Sequence, residues 1–497
     1  MLICQRAPCD TIGSTMCNAR HKYSVILMGF LSRLSGAIAL ASLPACSGDV
    51  NTNTSATGGA ATGGTSSVER YTLTVSFAGS GAGTVVIQPG ETICTAPASC
   101  TATFDSGTNV TLTAKPTNTG ATVSSVMSGW TGACASDGPH RLCSLTISAA
   151  TATTARFDTL SANLAFVTST TFLGNLGSAA AYERQCNTLA TAAGINNSTN
   201  DAYVSWMAAS NYAPATLLGS TRGWVRLDLL PWIDDMTTAL STGAVYYPVA
   251  YDENGQRVIA DTLSGMGGTG VLYNCNDWTD STLNTTHGNT HAGGKWWIVN
   301  NVGISSCANA SRVICLMKGA NTPVTVTPVV GKKIYLTKTG WVPGGGLAAA
   351  DAKCLADAPT SVRDVKAVLV AATRALADVL GTTTVYVRPD GVKVGTGSEI
   401  AEAMNTSPPS TIESAVTQDG GGNYVDTGVA QNLWTGLSSQ GTPDKDTCRD
   451  WTTSASTDSG TIGGVATGWS YAGKDGSFGC DNNWLGSAIA FLQCAEQ

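Results

Sequence analysis

The chain has 497 residues, enough for several domains with cores of their own. Only 12% of the residues are charged and the formal net charge is −7, so Thr, Ser, Asn and Gly must supply most of the polar surface. The absence of a clustered basic footprint argues against a nucleic-acid partner. The 16 cysteines indicate an oxidising compartment, and because they do not form C-x-x-C pairs, structural zinc is the weaker interpretation.

The first residues, 1–45, are predicted to be a signal peptide. LSGAIALASLPAC, Leu34 to Cys46, is apolar but too short to span a bilayer, and it ends in small residues. LPAC resembles a bacterial lipoprotein signal, which implies cleavage before Cys46, lipidation of that cysteine and, with Ser47 next, an outer-membrane lipoprotein. An ordinary cleaved secretion signal is the alternative. Arg33 interrupts the apolar stretch, so Met28 is a candidate for the true start.

Residues 46–67 contain almost no hydrophobic side chains and are predicted to form a flexible tether.

Residues 68–158 alternate apolar and polar side chains, as in the series Tyr71, Leu73, Val75, and Gly-rich breaks separate the runs. This pattern predicts a small all-β module. YTLTVSFAGSGAGTV together with SGWTGAC resembles bacterial β-repeat modules related to the internalin B-repeat, which implies a stalk or spacer. Local disulfides are expected where a pair closes a short loop, namely Cys94–Cys100 and Cys134–Cys143.

The rest of the chain repeats itself. CNDWT at Cys275 returns as CRDWT at Cys448, and in each case another cysteine, Cys307 or Cys480, follows after 32 residues. The whole series Cys186, Cys275, Cys307, Cys315 corresponds to Cys354, Cys448, Cys480, Cys494. Tryptophan follows the same spacing, with Trp278 and Trp296 matching Trp451 and Trp469. A period this long is too long for a solenoid unit and predicts two tandem domains.

The first copy is assigned to residues 159–319, the linker to 320–332 and the second copy to 333–497. Each copy begins with a strand-like run and a Gly-rich turn, followed by an alanine-rich helical segment that carries its first cysteine. DVKAVLVAATRALADVL, starting at Asp364, has a helical composition. It occupies the place of DAYVSWMAASN, starting at Asp201, so its first half is predicted to be a strand.

One early cysteine on a helix, three late ones and a WTGL element at Trp434 resemble the C-type lectin-like fold. Phrases such as FVTSTTFLGNLGS, RGWVRLD, VYVRPDG and CxDWT are more similar to its endostatin-like branch and to a bacterial lipoprotein family of unknown function, DUF1554. The resemblance covers both copies nearly end to end. The expected fold class is therefore α+β, with two tandem C-type lectin-like domains after the all-β module.

The resemblance also implies how the late cysteines pair. The first cysteine of a copy joins the last, and the two middle ones join each other, which gives Cys186–Cys315, Cys275–Cys307, Cys354–Cys494 and Cys448–Cys480. The tryptophans Trp278, Trp296, Trp434, Trp451 and Trp469 form the signature of this fold. A tryptophan directly after the bridge is expected to pack against it as core, with ligand stacking as the alternative.

Candidate chemical sites are few. The calcium recipe of C-type lectins is missing, since TPD at Thr442 stands alone and no WND precedes the third cysteine. HGNTH, at His287 and His291, lies in a Gly/Asn/Thr context and is expected to be a solvated loop rather than a metal site. GMGGTG at Gly265 precedes an apparent strand instead of a helix, which argues against nucleotide binding. Asp252-Glu253-Asn254-Gly255 is interpreted as a tight turn.

These observations predict a non-enzymatic surface binding or adhesion protein with no cofactor and no metal. Its membrane contact would be the lipid at Cys46, and its ligand a protein, matrix component or glycan recognised without calcium. A structural or assembly component of the envelope is the alternative, followed by an enzyme of unknown type. An exposed aromatic patch shared by the two copies would favour binding, whereas pKa-perturbed acids in a cleft would favour the enzyme. The oligomeric state is left open.

Overall fold

The computed structural model describes residues 68–266, 273–298, 304–405, 412–425, 432–438, 444–464, 476–484, 487–488 and 490–497. The predicted signal peptide and tether, including Cys46, lie outside these residues. Ser67–Gln497 forms one compact unit. The boundaries assigned to its modules from the sequence stay a prediction, and we use them below as names: the β module (68–158), the first copy (159–319) and the second copy (333–497).

The β module consists of two four-stranded sheets, ordered β4-β1-β8-β6 and β3-β2-β5-β7, with a short 3-10 turn at Ala135–Asp137. The predicted alternation is present, since Leu73 and Val75 are fully buried between polar neighbours and join a core contributed by both sheets. The strands are β1 (Arg70–Ala78), β2 (Gly83–Gln88), β3 (Thr92–Thr95), β4 (Cys100–Asp105), β5 (Thr108–Pro116), β6 (Ser125–Gly132), β7 (Leu142–Ile147) and β8 (Thr151–Thr159).

The first copy is built on a five-stranded sheet, ordered β10-β16-β9-β11-β12, and a smaller sheet, β13-β14-β15. Its longest helix, α1, ends where Gly194 adopts a left-handed φ of 80°, and it buries Tyr182, Cys186 and Ala190 against the sheet. The elements are β9 (Asn163–Val167), α1 (Ala179–Ala193), β10 (Tyr203–Ser205), α2 (Pro214–Leu218), β11 (Trp224–Val225), β12 (Pro231–Ile233), α3 (Met236–Thr242), β13 (Asp261–Leu263), α4 (Cys275–Trp278), β14 (Asn284–Asn289), β15 (Ile304–Ser306) and β16 (Ile314–Met317).

The second copy repeats the five-stranded sheet in the same order, β18-β27-β17-β19-β20, and adds the sheets β23-β22-β21-β26 and β24-β25. Its elements, apart from a 3-10 turn at Leu376–Asp378, are β17 (Lys332–Leu336), α5 (Gly346–Ala356), β18 (Val365–Ala367), β19 (Val385–Val387), β20 (Lys393–Thr396), α6 (Gly397–Asn405), β21 (Asn432–Trp434), α7 (Cys448–Trp451), β22 (Ser459–Gly464), β23 (Gly476–Gly479), β24 (Asn483–Trp484), β25 (Ser487–Ala488), β26 (Ala490–Phe491) and β27 (Gln493–Glu496).

The expected α+β class is wrong. Strands account for 36% of the described residues and helices for 16%, so this part of the chain is β-rich. The helices are short because Gly, Thr, Ser and Asn, which are weak helix formers, dominate the connecting segments. The strand expected after Asp364 is confirmed as β18, which pairs with β27; there, sheet pairing overrides the helical composition.

The β module and the first copy share a core. Val123 and Val126 of the module belong to the same buried cluster as Leu164 and Phe166 of β9. A hydrogen bond also crosses the seam between the β module and the first copy, where the Arg141 amide donates to the Asn254 carbonyl at 2.8 Å. The module is therefore packed onto the first copy rather than separated from it as a spacer.

The two copies also pack directly against each other. Trp296 of the first copy lies in the second copy's core, beside residues such as Val379 and Ile400. Arg388 of the second copy is fully buried, and its Nη1 donates to the Val245 carbonyl of the first copy at 2.9 Å. Its other nitrogens bind the Asp390 carboxylate, with Nη2 to Oδ2 at 2.6 Å. A buried, fully hydrogen-bonded cation thus joins the copies.

We expect Arg388→Leu to lower the free energy of unfolding by about 3–5 kcal/mol, because it leaves the Asp390 carboxylate and the Val245 carbonyl without their buried donor. Urea unfolding with the disulfides intact measures this. Arg363→Leu, at an exposed arginine of the same copy, is the matched control and should change stability by less than about 0.5 kcal/mol. Equal effects of the two substitutions would show that the buried hydrogen bonds of Arg388 do not stabilise the contact between the copies.

Candidate functional site

Six disulfide bonds are present among the described residues, so the predicted disulfide bonding is confirmed. The pairs are those expected from loop length and family resemblance: Cys94–Cys100, Cys134–Cys143, Cys186–Cys315, Cys275–Cys307, Cys354–Cys494 and Cys448–Cys480. In each copy the outer bridge ties the long helix to the last strand of the five-stranded sheet. The inner bridge ties the repeated CxDWT phrase to the end of a β-hairpin.

The CxDWT phrase forms a left-handed turn. Cys275–Trp278 have φ values of 57°, 53°, 53° and 68°, and Cys448–Trp451 have 49°, 52°, 52° and 66°. Left-handed helical backbone costs roughly 1–2 kcal/mol per non-glycine residue, so something must hold it. Besides the disulfide, the Ser210 amide donates to the Asp277 carboxylate at 2.8 Å. The Ala372 amide donates to Asp450 at 3.0 Å.

The tryptophan of the phrase is core, not surface. Trp278 is fully buried and its Nε1 donates to the Ala208 carbonyl at 3.0 Å, while Trp451 donates to Val370 at the same distance. Trp434 is also fully buried, and Trp469 lies outside the described residues. No exposed aromatic patch common to the two copies occurs among the residues that the structure describes. The repeated phrase is therefore a structural clamp, which leaves the ligand site to be found elsewhere.

The HGNTH motif is not a solvated loop. His287 lies on β14 and is 3% exposed, and His291 is 4% exposed. Neither ring nitrogen of His287 has a hydrogen-bond partner among the described residues, nor does Nε2 of His291. β14 is buried along its whole length after Asn284, and the backbone of Trp297 approaches Gly288 so closely that a Cβ there would meet the Trp297 carbonyl.

Metal binding finds little support in the described part of the chain. One cluster of potential ligands is present there, Cys134, Asp137 and Cys143, but its two cysteines are bonded to each other and offer no thiolate. Asp444, the described residue of TPD, donates its amide to the Gly436 carbonyl at 2.8 Å within the loop after WTGL. Gly265 and Met266 are the described residues of GMGGTG, and the rest of that motif lies outside.

A polar cleft opens at the seam between the β module and the first copy. Its volume is about 470 Å³. The module contributes His140 and Leu142, and the first copy contributes the remaining walls, with Val258 and Ile259 as apolar parts. The polar residues that line it are His140, Ser169, Asp252, Asn254, Gln256, Arg257 and Arg312.

The Asp252 turn builds the floor of this cleft. As expected, Asp252 to Gly255 form a tight turn, in which Asp252 Oδ1 accepts the amides of Asn254 and Gln256, both at 2.9 Å. Gly255 has a φ of 77°, and any Cβ there would meet the Pro139 carbonyl of the β module at 2.0 Å. Only glycine lets the turn approach the module this closely.

Burial perturbs the charged groups around the cleft. It raises the pKa of the Asp252 carboxyl, although amide donors from Gln256 and Asn254 act the other way. Burial also raises the pKa of Glu253, against the effect of its hydrogen bonds from Ser169. Burial lowers the pKa of the Arg257 guanidinium. A cleft with such groups is the usual mark of a functional site.

Both carboxylates are held by the turn, but to different degrees. Glu253 accepts the Ser169 amide at 2.9 Å through Oε2, and its Oε1 accepts the Asn254 side chain at 3.0 Å as well as the Ser169 hydroxyl. Asp252 lines the cleft, and its Oδ2 makes no hydrogen bond within the described residues. The pair therefore offers one open carboxylate oxygen instead of two catalytic acids.

The sequence interpretation missed this site. Arg257 and Arg312 were not singled out, and the Asp252 turn was seen only as a turn. The residues come from four separate parts of the chain, around positions 140, 169, 255 and 312, and no linear motif joins them. The one available signal was the Asp-Glu-Asn-Gly phrase, whose counterpart in the second copy, Asp419, also accepts two amides of its own turn but has no β module beside it.

No protein-family model matches the chain, and no curated protein matches it. Within the described residues, no helix is long and apolar enough to cross a membrane.

The buried histidines predict acid sensitivity. Burial lowers the pKa of His291 to about 3, helped by the charges of Arg257 and Arg226, and burial also lowers the pKa of His287. As the pH falls, these imidazoles are therefore protonated in the unfolded chain before they are protonated in the folded chain. Their contribution to the free energy of unfolding is fully present above the unfolded pKa of about 6.5 and decreases as the pH falls below it.

We expect the free energy of unfolding to fall by about 2 kcal/mol between pH 7 and pH 5 because of His291 alone. Urea unfolding at the two pH values measures the loss, and His291→Gln should reduce it by that amount. Gln88→Ala, at an exposed glutamine of the β module that does not titrate, is the control and should leave the loss unchanged. An equal pH dependence in the wild type and in His291→Gln would show that this imidazole does not cause it.

Proposed function

We propose that the protein is a non-enzymatic binding protein of the bacterial cell envelope, held to the outer membrane by a lipid at Cys46. The described modules would then stand beyond the tether as one compact unit. The lipoprotein signal before Cys46 and the six disulfides support an extracytoplasmic location. Membership of the DUF1554 lipoprotein family remains part of this proposal, and the duplicated cysteine frame supports it.

The polar cleft is the single observation that carries the binding role. It combines one open carboxylate oxygen, two arginines and an exposed amide at Gln256 in a space of about 470 Å³. Such a set of donors and acceptors recognises a hydrophilic ligand directly, and calcium is not needed for it. A protein, matrix component or glycan that presents polar groups would fit this description.

The raised pKa values of Asp252 and Glu253 favour an enzyme as the second candidate, because perturbed acids in a cleft are typical of active sites. General acid–base work on a glycosidic bond needs two carboxyl groups that reach the substrate. Hydrogen bonds from Ser169 and Asn254 occupy both oxygens of Glu253, which weighs against this role. A passive envelope component would leave the cleft without a ligand.

An array of glycans, matrix proteins and peptides, probed with the full chain in detergent, tests the binding role. We expect binding that EDTA leaves unchanged and that Gln256→Trp weakens at least about tenfold by filling the cleft. Gln88→Trp, at an exposed glutamine of the β module away from the cleft, is the control. Product release, seen by mass spectrometry, would favour the enzyme, and an array without any bound ligand would favour the passive component.

The lipid anchor is tested separately. In cells labelled with radioactive palmitate, we expect the wild-type chain to carry label and to remain in the membrane fraction. Cys46→Ala should lose the label because it removes the sulfur that the lipid modifies. Cys4→Ala, in the segment that cleavage would remove, is the control and should keep it. Labelled Cys46→Ala protein would exclude this anchor.

A further inference from the structure

We propose that the ligand of the cleft carries a carboxylate on a sugar, so that the protein recognises an acidic saccharide. This inference rests on the proposed binding function and names the ligand class of the same site. The cleft volume of about 470 Å³ falls within the range of small-molecule sites, roughly 300–1,000 Å³. One or two sugar units of a longer glycan would occupy it.

Arg312 supplies the donor for the carboxylate. Its Nη1 donates to the Thr168 carbonyl at 2.6 Å, which fixes the guanidinium at the wall of the cleft. Its Nε and Nη2 make no other hydrogen bond within the described residues. A guanidinium held in this way binds a carboxylate through a planar, charge-assisted pair that a point charge cannot reproduce.

Asp252 and Gln256 supply partners for sugar hydroxyls. Asp252 Oδ1 is used by its own turn, so Oδ2 is the oxygen left to accept from a hydroxyl. The exposed Gln256 side chain offers both a donor and an acceptor, which suits neighbouring hydroxyls that donate and accept in turn. The acceptor and the guanidinium belong to the same cleft, so one sugar unit can use both.

The balance of charge favours an anion. Among the residues that line the cleft, Arg257 and Arg312 carry positive guanidinium groups and Asp252 carries a carboxylate. Two positive groups therefore face one negative group. An incoming carboxylate makes the balance even.

A sugar fits the walls better than a peptide does. Leu142, Val258 and Ile259 are the apolar side chains of the cleft, and its described lining contains no Phe, Tyr or Trp. Peptide ligands are usually anchored by side chains that fill apolar or aromatic pockets, whereas seven of the ten residues that line this cleft are polar or charged. We therefore assign the carboxylate to a saccharide, and an acidic peptide becomes an outcome of the test.

Isothermal titration of the full chain in detergent with three probes tests the assignment. The probes are cellobiuronic acid, its neutral counterpart cellobiose, and the peptide Glu-Gly-Glu. We expect the acid to bind at least about tenfold more tightly than cellobiose, since a charge-assisted pair is worth about that factor or more. Raising the salt concentration should weaken only the binding of the acid.

Arg312→Gln should remove the preference for the acid, whereas Arg363→Gln, at an exposed arginine of the second copy, should keep it. Arg312→Lys retains the charge but loses the planar pair, and we expect it to weaken binding of the acid without affecting cellobiose. The melting temperature of each variant shows whether it is folded. If Arg312→Gln unfolds, the comparison of Arg312→Lys with Gln256→Trp decides.

The outcomes separate this inference from the function on which it rests. Cellobiose binding as tightly as the acid would overturn the carboxylate and leave a sugar-binding protein. Glu-Gly-Glu binding in place of the acid would overturn the saccharide and keep the carboxylate. If the array above finds ligands that Gln256→Trp does not weaken, binding stands and the cleft assignment fails. An array without ligands defeats both proposals.

Discussion

The inner disulfide of each copy is the constraint on which the remaining architecture depends. It closes over four residues held in left-handed backbone, an arrangement that non-glycine side chains adopt only when other contacts force it. Cys275 and Cys307 supply the covalent part, while Asp277 and Trp278 bind the segment that follows β10. Loop-rich chain is thereby attached to the five-stranded sheet. The second copy repeats every one of these contacts, which explains why the same phrase is written twice.

Repetition and alternation made part of this fold predictable. Period-two patterning indicated the β module, and comparing the two copies identified β18 where composition alone suggested a helix. The balance of helix and strand was not predictable from the sequence. A few alanine-rich segments give a clear helical signal, whereas strands of two or three residues are too short to show an alternating pattern. The Gly, Asn and Thr residues around His287 predicted a solvated loop, yet His287 lies on β14, which is buried from Thr285 to Asn289. Local composition therefore does not predict which residues are buried by contacts with distant parts of the chain.

The cleft was beyond the reach of the sequence for a related reason. It exists because the β module leans on the first copy, so that His140 and Arg312, far apart in the chain, share one space. The B-repeat resemblance suggested a spacer, but Val123 and Val126 merge the module with the core of its neighbour. A segment of stalk-like composition thus becomes one wall of a site. The second copy has no module beside its equivalent turn, so the two copies need not share a ligand.

Trp296 has a practical consequence for anyone who dissects this chain. It belongs to the same buried cluster as Val379 and Ile400 of the second copy, and Arg388 of the second copy donates to the Val245 carbonyl of the first. A fragment cut at the linker would expose a large apolar ring on one piece, and on the other it would remove the Val245 carbonyl from buried Arg388. Truncated fragments that end at the repeat boundary would therefore aggregate readily. Their non-specific binding would resemble adhesion in a binding assay.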